Sequence, residues 1–135
     1  MKFVVDTNIL FSFFWRDSLT RKFLISSQFE LISPEFALKE IEKYRFEIIQ
    51  KARIKQREFI ELLGELKRII QFANRKEYAG FIIKAERLSP DKGDVDFLAL
   101  CLKENCYLWS NDEVLKKQNK VRVLSTEDII KILFG

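Results

Sequence analysis

Lys2-Phe3-Val4-Val5-Asp6 opens the chain with an apolar, β-branched run ending in a carboxylate, the pattern of a buried strand that carries Asp6 to its C-terminal edge. Thr7-Asn8 then turns the chain. The segments Ile9 to Trp15 and Thr20 to Ser26 read as helical, and Phe29-Glu30-Leu31-Ile32 predicts a second strand stopped by Ser33-Pro34. Proline at that point suits the first turn of a helix. From Glu35 to about Lys51 the spacing is helical. Phe59, Leu62, Leu63, Leu66, Ile69, Ile70 and Ala73 form a further stripe at three- and four-residue intervals, so the two segments together predict a helical arm.

Ser89-Pro90-Asp91-Lys92-Gly93 is the strongest breaker cluster, and Asp94 to Lys103 behind it presents Phe97, Leu98, Cys101 and Leu102 as the apolar face of a buried helix with Asp94 in its first turn. Tyr107-Leu108-Trp109 reads as a short strand followed by Ser110-Asn111-Asp112. Arg122-Val123-Leu124 is another, before a last helix opened by Ser125-Thr126-Glu127-Asp128. Strands alternating with helices imply an α/β domain with a mostly parallel sheet, whose ligands gather at the carboxyl ends of the strands. No repeat, linker or composition shift divides the chain, so residues 1–135 are read as one domain.

Composition narrows the chemistry. With 47% hydrophobic and 33% charged residues, 4 Gly and 2 Pro, the 135-residue chain has the profile of a folded rather than a disordered protein. It contains no histidine, which removes Ser-His-Asp and Cys-His catalysis and histidine metal ligation. A catalyst built from this chain uses carboxylates, hydroxyls, amines or a thiol. Cys101 and Cys106 are too few for a structural zinc site without histidine and do not form a secreted disulfide framework. The longest apolar stretch, Ile9 to Trp15, is far short of the roughly 20 residues that span a bilayer, so a cytoplasmic location with no membrane partner is expected. The net charge of +4 permits a polyanionic partner without demanding one.

Three carboxylates fall where such a fold collects ligands: Asp6 after the first strand, Asp94 at a helix start, and Asp112 after the Tyr107-Leu108-Trp109 strand. A helix packed on the sheet can aim Glu40 at the same edge. Four acids in one cleft repel each other unless a cation compensates them, and Mg²⁺ or Mn²⁺ prefer carboxylate oxygens and bridge to substrate phosphates. Each acid also has a simpler reading, with Asp6 as a helix cap and Asp94 and Asp112 as favourable charges at helix N-termini. Asp94 and Asp96 are two residues apart and point in different directions on a helix, so only one of the two is a main ligand, and the other, like Asp91, stands at the rim or behind it. The same reasoning makes Glu40 and Glu42 mutually exclusive, and the position after Leu38 and before Ile41 favours Glu40.

Val4-Val5-Asp6-Thr7-Asn8 resembles the opening motif of PIN-domain nucleases, and the other pieces follow in order. Glu40 in Leu38-Lys39-Glu40-Ile41 matches the family's helical glutamate, Asp94 in Asp94-Val95-Asp96-Phe97-Leu98-Ala99-Leu100 its third acid, and Asp112 in Trp109-Ser110-Asn111-Asp112 its fourth. Ser110 matches the hydroxyl residue near that fourth acid. The resemblance implies a three-layer α/β/α domain with a central, mostly parallel sheet of four to five strands. It also implies a Mg²⁺- or Mn²⁺-dependent ribonuclease similar to VapC-type toxins. Asp6, Asp94 and Asp112 would hold the metal, Glu40 would ligate it or orient a water, and Thr7, Asn8, Asp96, Ser110 and Asn111 would make supporting or phosphate contacts. An antitoxin and a homodimer are the protein partners it brings in. The alternative is a PIN-fold RNA-binding or regulatory module that acts through partners.

Lys116, Lys117, Lys120 and Arg122 are candidates for RNA phosphate contact. A second basic stretch, Arg45, Lys51, Arg53, Lys55 and Arg57, is interleaved with Glu47, Glu58 and Glu61 and reads as a solvated face. Asn111 has the further option of capping a short helix near Glu113. Phe13, Phe14 and Trp15 read as core rather than a stacking platform, and Cys101 as a buried small hydrophobe. An aspartate-dependent phosphatase of another α/β family would want a second aspartate at position 8, which is Asn.

Overall fold

The computed structural model describes residues 1–16, 18–26 and 28–135. Strands β1 (Lys2–Val5), β2 (Glu30–Pro34), β3 (Gln71–Ala73), β4 (Tyr107–Trp109) and β5 (Val123–Leu124) form one sheet in the order β3-β2-β1-β4-β5. Every pairing is parallel. Such a sheet is covered on both faces, which is why its central strand reads as an unbroken apolar run: Phe3, Val4 and Val5 are wholly buried.

Helices α1 (Thr7–Ser12) and α2 (Leu19–Ile25) connect β1 to β2, and α3 (Glu35–Lys43), α4 (Arg45–Ala52) and α5 (Gln56–Ile69) connect β2 to β3. The return to the other side of β1 runs through α6 (Arg75–Tyr78), α7 (Ile82–Leu88) and α8 (Val95–Glu104), and α9 (Thr126–Phe134) follows β5. The result is the expected three-layer α/β/α arrangement. The chain moves outward from β1 through β2 to β3 and then crosses back to β4, so the strand order reverses between β1 and β4. In open parallel sheets that reversal opens a crevice at the carboxyl ends of the two strands. The residues directly beyond β1 and β4 are Asp6 and Ser110-Asn111-Asp112.

Several local expectations are corrected. The helix foreseen from Glu35 to Lys51 breaks at Tyr44, whose backbone (φ −100°, ψ 17°) leaves the helical region and separates α3 from α4. The apolar stripe does not carry a helix through Ile70 and Ala73: Ile70 turns extended (φ −103°, ψ 130°) and Gln71–Ala73 become the edge strand β3. β2 is not stopped before Ser33-Pro34 but includes both, and Pro34 caps α3 instead of sitting in its first turn. Helix α8 is apolar well beyond one face, with Val95, Phe97, Leu98, Ala99, Leu100 and Cys101 all buried, because it lies between the sheet on one side and α6 and α7 on the other. The first helical segment ends at Ser12, and Phe13 and Phe14 continue as a turn with both rings in the core.

The α4–α5 arm is fastened to that turn by aromatic packing. Phe14 stacks on Phe59 with centroids 5.0 Å apart and planes at 17°, and the Arg45 guanidinium lies 5.1 Å from the Phe59 centroid on the arm itself. These contacts place the start of α4 next to α1, beside the carboxyl edge of the sheet.

Candidate active site at the carboxyl edge of the sheet

Asp6, Glu40, Asp94 and Asp112 line one cleft of about 320 Å³, together with Thr7, Asn8, Phe11, Tyr44, Gly93 and Phe97. Each acid arrives from a different part of the chain: Asp6 from the end of β1, Glu40 from α3, Asp94 from the start of α8 and Asp112 from the segment after β4. The ends of β1 and β4 are tied together, since the Asp6 amide donates to the Trp109 carbonyl at 3.0 Å. Ser33, buried at the end of β2, donates its hydroxyl to the Val5 carbonyl at 2.9 Å and fixes the strand end just before Asp6.

Hydroxyl bridges join three of the acids. Ser110 Oγ donates to Asp6 Oδ2 at 2.6 Å and accepts the Asp112 amide at 3.1 Å, while Thr7 Oγ1 donates to Glu40 Oε1 at 2.8 Å. Asp6 also caps α1, its Oδ1 accepting the Thr7 amide at 2.8 Å, and Asp112 Oδ1 accepts the Val114 amide at 3.0 Å. The capping roles and the shared cleft therefore coexist, because an ionised carboxylate has lone pairs for several partners. Asp94 is different: it occupies the cap position of α8 without a side-chain capping bond.

The electrostatics follow from this crowding. Burial, then the charges of Asp6, Asp91, Asp112 and Glu40, push the Asp94 carboxyl from the ordinary 3.8 up to about 6. Burial also pushes Asp6 up, against the pull of its hydrogen bonds from Ser110 and Thr7 and with a further push from Asp112. No lysine or arginine among the described residues lines the cleft to offset these charges.

Other residues singled out in the sequence are distributed more widely. Asp96 accepts a hydrogen bond from the Tyr78 hydroxyl at 2.6 Å and is not in the cleft, as its two-residue offset from Asp94 requires. Asp91 caps the short turn Lys92–Asp94 through the Gly93 amide at 3.1 Å, and Glu42 pairs with Arg45 at 3.4 Å. Asn111 Oδ1 accepts the Thr126 amide at 2.8 Å, which binds the segment after β4 to the start of α9; the cap near Glu113 is Asp112 instead. Lys116 pairs with Asp128 at 2.8 Å. Lys120 and Arg122 lie with Lys2 and Cys106 around a hollow at the amino end of the sheet, the end opposite the acids. Lys117 is exposed in the turn between β4 and β5. Phe11 and Tyr44 were not foreseen as cleft walls. Their signal was present in the spacing, since each lies four residues after a cleft residue, Thr7 and Glu40.

The donor set suits a hard divalent cation, being all oxygen, anionic and without an internal countercharge. Among the described residues no three acidic or thiol side chains already stand close enough to enclose an ion. That spacing is compatible with Mg²⁺, which keeps several waters and takes one or two carboxylates together with substrate phosphates instead of a closed protein cage.

The acids thus stand at the topological switch point of a parallel α/β sheet, where such domains bind their ligands. The chain matches the PIN domain family over residues 4–130 and belongs to it. The structure of VapBC2 from Rickettsia felis bound to a DNA fragment from their promoter contains a chain of the same fold, with a TM-score of 0.64 and 14% sequence identity over 93% of this chain and 98% of that one. No curated protein matches the sequence.

Proposed function

We propose that this PIN-domain protein is a Mg²⁺- or Mn²⁺-dependent ribonuclease that hydrolyses RNA phosphodiester bonds at the four-acid cleft. The observation that carries the reading is the convergence of Asp6, Glu40, Asp94 and Asp112 on one cleft with no basic residue among its described walls. Membership of a nuclease family supports it.

Asp6, Asp94 and Asp112 would hold the cation, some of them directly and the rest through its waters, and when bound it would offset charge on the phosphoryl oxygens and acidify water near neutral pH. Ser110 fixes Asp6 relative to Asp112, and Thr7 fixes Glu40 through Oε1, leaving Oε2 to take a proton from the attacking water. Attack in line with the P–O3′ bond, which breaks with the departing O3′ taking a proton from solvent water, would leave a 5′-phosphate and a 3′-hydroxyl. Asn8, exposed at the cleft wall, would donate to a phosphate oxygen.

The fold shared with a chain of a VapBC complex supports the reading as a toxin of a toxin–antitoxin pair with an antitoxin partner; a second copy as a further partner and the cytoplasm as the place of action belong to the same proposal. No helix among the described residues is long and apolar enough to cross a membrane. The test is cleavage of a panel of labelled single-stranded and hairpin RNAs by the purified protein in Mn²⁺, Mg²⁺ or EDTA. Metal-dependent products with 5′-phosphates are expected. RNA binding without cleavage in any metal would assign the chain instead to the regulatory modules of the fold.

A further inference from the structure

We infer that the groove between α1 and α4 is a nucleobase subsite, which stacks one unpaired base of the RNA next to the phosphate held at the acidic cleft. The inference rests on the ribonuclease reading for the identity of its ligand. The groove has a volume of about 290 Å³ and is built from two facing stripes at helical spacing. Asn8, Phe11 and Trp15 come from α1 and the turn after it, and Tyr44, Glu47 and Lys51 from the start and outer face of α4.

Three features fit a base rather than a lipid or an apolar side chain. Phe11, Trp15 and Tyr44 are half-buried walls of the groove, unlike the fully buried Phe13 and Phe14 beside them, so part of each ring borders the open space. Phe11 and Tyr44 meet edge to face, with centroids 6.0 Å apart and planes at 74°, which holds both rings in place before a ligand arrives. Charge is divided in the way a nucleotide requires. Lys51 lines the groove and Lys43 lies 5.4 Å from the Tyr44 centroid, both able to meet backbone phosphate, while Glu47 repels phosphate and accepts from the N–H groups of a base edge.

The position of the groove gives the register. Asn8, Phe11 and Tyr44 are walls of both the groove and the acidic cleft, so the two are contiguous and a base seated in one belongs to the nucleotide next to the phosphate in the other. Single-stranded RNA is the form whose bases can be splayed into such a site.

The test is fluorescence anisotropy with 5′-labelled single-stranded RNA dodecamers in Ca²⁺, a hard cation that can occupy the acidic cleft in place of Mg²⁺ or Mn²⁺, with gel analysis checking that the strand stays uncut, using an intact strand and a series with one abasic residue at successive positions. Wild type, Tyr44→Leu, Trp15→Leu and Tyr44→Phe are compared, with circular dichroism checking the fold. Loss of the stacked base is expected to weaken binding roughly 5- to 100-fold for wild type at one abasic position. Tyr44→Leu and Trp15→Leu should bind the intact strand more weakly within the same range and lose sensitivity to that abasic position, while Tyr44→Phe behaves as wild type. Wild type that is indifferent to every abasic position, or that binds no RNA, overturns the subsite whether or not a variant folds. So do folded Leu variants with unchanged affinity, or variants whose only defect is lost self-association in sedimentation. Parallel cleavage in Mn²⁺ scores the nuclease reading separately: base-dependent binding without cleavage removes the nuclease and keeps the subsite, and cleavage with base-independent binding does the reverse.

Discussion

Replacing Asp94 by Asn removes one negative charge from a cleft in which Asp6, Asp91, Asp112 and Glu40 all oppose it, and keeps the size and helix-start preference of the side chain. In metal-free wild type the folded Asp94 holds its proton up to about pH 6, against 3.8 for an ordinary aspartate. The folded state therefore binds the proton more tightly than the unfolded chain. The stability this confers is full below pH 3.8, declines as pH rises, and is lost above about pH 6. At about 1.36 kcal/mol per pH unit the gap corresponds to ~3 kcal/mol, and because Asp94 is only half-buried, solvent screening reduces it to ~1–2 kcal/mol. Asp94→Asn should thus be more stable than wild type at pH 7.5 in EDTA by ~1–2 kcal/mol, and the difference should shrink toward pH 4. Adding Mn²⁺ should reverse the order, since an ion at 100 times its dissociation constant stabilises wild type by about 2.7 kcal/mol and the variant by less. Urea denaturation followed by the fluorescence of the buried Trp109 measures all three. A variant less stable than wild type at pH 7.5 in EDTA, or with the same pH slope, would refute the electrostatic reasoning.

Ser110→Ala removes the hydroxyl between Asp6 and Asp112 and leaves the Asp112 amide without its partner, so a loss of ~1–3 kcal/mol in urea denaturation is expected, with the acid limb of the cleavage pH profile moved to higher pH as Asp6 loses the bond that lowers it. Thr7→Val frees Glu40 and should reduce kcat for RNA cleavage about 10- to 100-fold while the far-ultraviolet spectrum is unchanged. Asp96→Asn should leave metal-dependent cleavage within about threefold and cost ~1 kcal/mol of stability through its bond to Tyr78, which separates it from Asp94→Asn in a single pair of assays. Phe59→Ala, at the stacked contact between the arm and the turn after α1, should cost ~3–5 kcal/mol in the same denaturation experiment.

The alternation of strands and helices made the parallel sheet legible because β1 and β4 are apolar runs bounded by polar turns; Asp6, Asp94 and Asp112 could be placed at the sheet edge because they follow strand ends or open a helix, whereas Glu40, in the middle of α3, was singled out by the family resemblance. β3 was hidden by its own neighbours: Gln71-Phe72-Ala73 continues the apolar stripe of α5 without a glycine or proline, and only pairing with β2 makes it a strand. The break at Tyr44 likewise has no local breaker. It arises where α3 must leave the sheet and the arm begin. Helical direction made Asp94 and Asp96, and likewise Glu40 and Glu42, mutually exclusive, while the choice within each pair came from the family resemblance and from the place of Glu40 between Leu38 and Ile41; Asp96 and Glu42 lie outside the cleft, on Tyr78 and Arg45. Arg122 directly precedes β5, at the amino end of a parallel sheet and away from the acids, and it shares a surface hollow with Lys116, Lys120 and Lys131. The aromatic groove was not legible because its two stripes lie on separate helices that are brought together only by tertiary contacts, Phe14 on Phe59 and Phe11 on Tyr44.

The central claim, that the four acids act as one cation-dependent nuclease site, is tested most directly by the rate of RNA cleavage against Mn²⁺ concentration for wild type and for Asp6→Asn, Glu40→Gln, Asp94→Asn and Asp112→Asn. The account predicts saturable activation of wild type, abolished by EDTA, and a loss of at least about 100-fold in each folded variant. Cleavage that persists in EDTA, or that survives in two or more of the four variants, would contradict it.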